Sequence, residues 1–133
     1  MQTRWMIALW LLILPVLSAA AGESPAVARI DTDGIQRVEI VGGSYFFEPN
    51  RIIVKINIPV ELSVKKKSGL TPHDIVMDSP EAGMKFKVEL GTDPKVIGFV
   101  PTRNGEFPFF CSKKFLGSSH RAKGMAGVIE VRP

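Results

Sequence analysis

From residue 36 onward the chain alternates with a period of two. Val38 and Ile40 alternate with Arg37 and Glu39. Ile52, Val54, Ile56 and Ile58 share one face, interleaved with Lys55 and Asn57. Val60, Leu62 and Val64 alternate with Glu61, Ser63 and Lys65. Alternation of this kind lines one face of a pleated strand with apolar side chains and leaves the other polar, the mark of a half-buried strand. Further strands are expected over residues 73–77, 86–90, 96–100, 106–111 and 127–131. Turn signals separate the runs at short intervals: Gly42-Gly43, Pro49-Asn50, Pro59, residues 69–72, Ser79-Pro80, residues 91–94 and Asn104-Gly105. Many short strands at this spacing predict an all-β sandwich or barrel. Residues 78–84 are expected to form one helical turn, and no longer segment has a helical period. There is no internal repeat or low-complexity tract.

The start of the chain follows a different rule. Arg4 precedes an apolar stretch, Trp5 to Leu17, broken by Pro15, and the small residues Ser18-Ala19-Ala20-Ala21-Gly22 come next. This order is that of an export signal cleaved after Ala20 or Ala21. An uncleaved anchor helix is the alternative, but the stretch is short of the roughly 20 residues a span needs and holds a proline. The expected organisation is therefore a signal peptide over residues 1–21, a polar leader over 22–35, and one domain over 36–133. A domain of this length has room for one core.

Arg4 is the only charge ahead of residue 22, so cleavage takes the net charge from +4 to +3. That mild excess suits an acidic protein partner and falls far short of a nucleic-acid-binding stripe. The run Lys65-Lys66-Lys67 reads as a solvated strand end. Cysteine usage changes the picture more. An exported chain usually pairs its cysteines, yet this one has only Cys111. Its sulfur is either linked to another chain or held by something else, and metal ligation is one such use.

The soft ligands are scarce, which makes their placement informative. Beyond the signal there are two histidines, one cysteine and three methionines. On a strand, Phe107, Phe109 and Cys111 point the same way, so the sulfur should face the core behind two rings. His120, Met125 and the strand over 127–131 follow it. His73 opens an earlier strand. Taken singly, His73 reads as a hydrogen-bonded strand histidine, Met125 as core filler and Cys111 as a small buried hydrophobe. Taken together, two imidazoles, a thiolate and a thioether are the blue-copper ligand set, whereas zinc favours other combinations. Met77 and Met84 remain alternative thioethers.

The residues Phe47-Glu48-Pro49, His73-Asp74, Gly105-x-Phe107-x-Phe109-x-Cys111-Ser112 and His120-x4-Met125-x-Gly127 resemble the cupredoxins over roughly residues 38–132. Plastocyanin, pseudoazurin and the copper domain of cytochrome oxidase subunit II are the comparisons. The resemblance implies a Greek-key β-sandwich with one copper ion, cycling between Cu(I) and Cu(II). His73, Cys111 and His120 would be its strong ligands and Met125 the axial one. It also implies a tie between Asp74, where many cupredoxins have asparagine, and Ser112; an ionised aspartate there would favour the oxidised ion. Two departures stand out. Eight residues (112–119) separate Cys111 from His120, more than in plastocyanin. A binuclear site would need a second cysteine four positions after the first, where this chain has Phe115.

These features predict a periplasmic copper protein acting as a one-electron carrier. Copper storage, buffering or delivery is the competing class, and an accessory module of a larger oxidase is a third. No triad, acid pair or phosphate loop is apparent, so no enzymatic activity is expected. Lys113, Lys114, Arg121 and Lys123 have no acidic residue beside them in the loop, and would steer an anionic partner such as a c-type cytochrome or an oxidase toward His120, where electrons commonly leave a cupredoxin. Gly117, Gly124 and Gly127 are expected to let this loop turn tightly. The chain is expected to act as a monomer, without nucleic acid, and to meet a membrane only through a partner or an uncleaved anchor.

Overall fold

The structure is a computed structural model that describes residues 22–133; the signal peptide expected over 1–21 lies outside the described residues. Among the described residues, the strands are β1 (Pro25–Val27), β2 (Arg29–Ile30), β3 (Gln36–Gly43), β4 (Phe46–Glu48), β5 (Arg51–Lys55), β6 (Val60–Lys66), β7 (Asp74–Ser79), β8 (Met84–Glu89), β9 (Lys95–Phe99), β10 (Gly105–Phe110), β11 (Lys114–Phe115), β12 (Ser118–Ser119) and β13 (Ala126–Arg132). One 3-10 turn, Pro80–Ala82, falls inside the segment expected to be helical. No helix among the described residues is long and apolar enough to cross a membrane.

Two sheets pack face to face. One has the order β1-β5-β13-β10-β7-β8, the other β2-β3-β6-β9 with β4 added to β3, and β11 and β12 form a separate hairpin. Consecutive strands repeatedly change sheet, and the parallel pairs β5–β13 and β3–β6 join strands distant in sequence. The result is a Greek-key sandwich.

The period-two pattern is what builds it. Val60, Leu62 and Val64 turn inward from β6, Ile52 and Val54 from β5, and all five are buried. They meet Ile40, Ile75, Met77, Phe109 and Ile129 in one core. Burial of each such side chain contributes about 1.5–3 kcal/mol. A polar group also sits inside. Gln36 is 1% exposed; its amide donates to the carbonyls of Lys55 and Ile58 and accepts from the Lys55 N–H. That side chain fastens β3 of one sheet to the end of β5 in the other.

The chain departs from the sequence reading in several places. Segment 22–35 is not a bare leader: β1 pairs with β5 and β2 with β3. Arg37 holds the connection, donating to Asp31, Asp33 and Glu61. Strands of two or three residues are too short for alternation to reveal. The strand expected to include Ile56 and Ile58 ends at Lys55, because the chain crosses between sheets there. Asn57 takes a φ of 60° in that crossing, a conformation asparagine tolerates better than most residues. Gly42-Gly43 is strand rather than turn. A Cβ on Gly42 would lie 2.8 Å from Leu90 Cδ1 and 3.3 Å from Met125 Cε. That glycine marks a close approach, a recognised reason for glycine in a strand.

Candidate metal centre

Three adjacent strands end at one edge of the larger sheet. His73 directly precedes β7, Cys111 directly follows β10, and Met125 directly precedes β13. Pairing of Phe110 with both Val76 and Ala126 fixes those ends side by side. The chain between Cys111 and Met125 must leave the edge and return. It does so through the β11–β12 hairpin, with Leu116 and Gly117 both at positive φ in its turn, as a tight hairpin requires. His120 follows the hairpin. Its N–H donates to Lys113 O, and its own carbonyl accepts from Met125 N–H. The Cys111 N–H closes the circuit on Met125 O at 3.0 Å.

This framework brings the predicted strong ligands together. His73 Nδ1 lies 3.2 Å from His120 Nδ1, and the Cys111 sulfur lies 3.6 Å from that same nitrogen. Ligand atoms of all three fall within 4.8 Å of one another, the one such group among the described residues. A first-row ion bound at about 2.0–2.1 Å to nitrogen and about 2.3 Å to sulfur, with angles of about 110–120°, needs nitrogens about 3.3–3.6 Å apart and a nitrogen–sulfur distance of about 3.5–3.8 Å, and the 3.2 and 3.6 Å found here come within about 0.1 Å of those ranges. The donor set therefore fits an ion of that size, and its two imidazoles and thiol match copper's preferences.

Met125 is fully buried and bonded through its backbone to two of the three. Met84, by contrast, pairs with Ser79 at the far end of β7, and Met77 lies opposite Phe109 within the sheet.

Burial also sets the charge state. It pushes the Cys111 thiol up, with the Asp74 and Lys113 N–H groups pulling the other way. It holds His73 below the ordinary imidazole value, and the neighbouring His120 acts in the same direction. Both groups thus favour their neutral forms, which leaves the imidazole able to ligate a metal and the thiol with a proton that a metal would have to displace.

The surroundings orient these side chains. Asp74 is fully buried and accepts from the Ser112 N–H at 2.6 Å and the Ser112 hydroxyl at 2.5 Å, so both its oxygens serve the tie between β7 and the cysteine loop. Gly127, expected to serve a turn, instead lies within β13 opposite Phe109.

Two features escaped the sequence. Lys113 is not free of acidic neighbours, because Glu89 on β8 pairs with it at 2.5 Å. His120 is not a bare edge. It is 0% exposed, the Tyr45 ring meets it edge-on at 5.0 Å, and its Nε2 has no hydrogen-bond partner among the described residues. A two-residue Ser44-Tyr45 turn carries no signal of that role. A larger cleft of about 620 Å³ lies against Arg37, Glu61 and Val96 and touches none of these groups.

No protein-family model and no curated protein matches the sequence. Solved structures do. The metal-binding domain of the Cu(I)-exporting P-type ATPase of Streptococcus pneumoniae D39 matches at a TM-score of 0.65 and 20% identity, over 84% of this chain and 99% of that one. Dithionite-reduced auracyanin from Roseiflexus castenholzii matches at 0.58 and 19%, over 73% and 97%. The fold is a cupredoxin fold. The periplasmic domain of cytochrome oxidase subunit II from Bradyrhizobium japonicum matches it at 0.56 and 15%, over 72% and 83%. Within this cupredoxin fold the chain places a candidate His73, Cys111 and His120 site at the end of the sandwich. In this chain the β11–β12 hairpin joins Cys111 to His120, and Tyr45 stands over the His120 ring.

Proposed function

We propose that this chain is a periplasmic one-electron carrier holding one copper ion through His73, Cys111, His120 and Met125. The observation that carries the reading is the convergence of two Nδ1 atoms and one sulfur at 3.2 and 3.6 Å in a buried pocket. Copper bound there would supply a one-electron couple between Cu(I) and Cu(II). The chain's own residues do the rest. β7, β10 and β13 fix the ligand positions, so little would need to move when the charge changes. Full burial of Cys111, His120 and Met125 shields that side of the site from solvent. The Asp74–Ser112 tie orients the cysteine loop and places a carboxylate near the site. Lys114, Arg121 and Lys123, exposed around the site, suit an anionic redox partner; Arg121 and Lys123 lie over the rings of Phe110 and Tyr45. Likeness to a Cu(I) exporter's metal-binding domain favours the second reading, copper storage or delivery.

A redox titration separates the two. The copper-loaded mature chain should take up one Cu(II), show an intense thiolate-to-copper visible band, and pass reversibly through a single one-electron wave. Asp74→Asn keeps an acceptor for the Ser112 N–H and removes the negative charge, so its midpoint potential should rise. Colourless protein that binds only Cu(I), with no reversible wave, would establish storage or delivery instead.

A further inference from the structure

The ligands do not meet solvent equally. His120, Cys111 and Met125 have 0% exposure, whereas His73 keeps 3%. His73 also lines a cleft of about 240 Å³ between the β3–β4 turn and the loop after β6, with Ser44, Phe46, Lys67, Ser68 and Thr71 around it. A neighbouring cavity, lined by Tyr45, Leu70, Pro72 and Phe115, touches none of the four. The cleft is built in advance. The Lys66 ammonium donates to the carbonyls of Gly69 and Thr71 at 2.9 Å each, and the Lys67 N–H donates to Gly42 O. Both walls are thereby held by the chain's own hydrogen bonds.

The His120 side is closed by comparison. Tyr45 stands edge-on to the imidazole, and Lys123 Nζ lies 4.3 Å from the centre of the tyrosine ring on top of it. Tyr45 adopts a φ of 68°, which a bulky side chain seldom does. Such an outlier persists only where its surroundings impose it.

We infer that copper enters and leaves through the cleft beside His73, and that Tyr45 shuts the route over His120. This rests on the copper reading above. The cleft's hydroxyls and Lys67 suit an ion carried in an anionic complex better than a bare dication, since the lysine repels the latter and attracts the former. Blocking a route raises a barrier without changing the bound state. Loading and removal should therefore slow by the same factor while affinity stays constant.

Ser68 is exposed at the cleft wall and is not a ligand, so Ser68→Trp fills the opening with little risk to the fold. Ser44→Trp does the same from the opposite wall. The measurement is stopped-flow transfer of Cu(I) between the mature chain and bathocuproine disulfonate, an anionic chelator whose own colour reports the metal. Ser68→Trp should slow transfer in both directions by about tenfold or more, a barrier increase of about 1.4 kcal/mol, with the Cu(I) dissociation constant unchanged. Adding Tyr45→Gly should restore the rate by opening the His120 side. Wild-type rates in both plugged variants would overturn the inference and leave copper binding standing. A chain that binds no Cu(I) would overturn both.

Discussion

Replacing Cys111 with serine should reduce copper affinity by more than about a hundredfold and abolish the visible band while the protein stays folded. Losing a partner that merely orients a ligand costs 10–100-fold, and here the ligand itself goes. The sulfur is the soft donor of the set, and no other cysteine can replace it. The serine hydroxyl can still accept from the N–H groups that face the sulfur, so the fold should lose only about 1–2 kcal/mol. Neighbouring substitutions should grade by role. His73→Ala should weaken binding strongly. Met125→Leu, which conserves volume, should keep the ion but alter its spectrum and potential. Isothermal titration and visible absorption give both quantities, and a serine variant that held Cu(II) within tenfold of wild type would remove the sulfur from the site.

The largest effect on stability should come from Phe109→Ala, at about 3–5 kcal/mol. The ring is fully buried, meets Phe47 edge-on at 5.3 Å, and lies over Gly127 of β13. A Cβ built on Gly127 would sit 2.3 Å from the ring's Cζ and 2.5 Å from Asn50 O. Gly127→Ala should therefore cost about 1–3 kcal/mol by overpacking. The two changes should not add. In the Phe109→Ala background the new methyl gains the space of the lost ring, so its penalty should fall. It should not vanish, because the Asn50 carbonyl stays. Urea midpoints of the single and double variants measure this coupling. Strict additivity would mean that the ring and the glycine do not share the space the structure gives them.

Phe109 also shows why so much was legible in the sequence. Two residues on a strand share a face, so its burial and that of Cys111 are one inference from period two. The same rule located Val60, Leu62 and Val64. Placing His73, Cys111 and Met125 at the ends of strands, with His120 in the loop between the last two, then needed only a sandwich that brings those ends together. What escaped depends on contacts between distant segments. Glu89 reaches Lys113 across 24 positions, and Tyr45 covers His120 across 75; neither pair has a local pattern. β1 and β2 are held by β5, β3 and Arg37 rather than by their own composition. Gly42 looked like a turn because a glycine's sequence signal is the same whether it frees the backbone or admits a neighbour.

Copper-edge X-ray absorption of the mature domain loaded with one equivalent of the metal tests the convergence most directly. Two imidazole nitrogens and one short sulfur distance in the same shell are the expected result. A shell of nitrogen and oxygen alone, with no short sulfur, would contradict it.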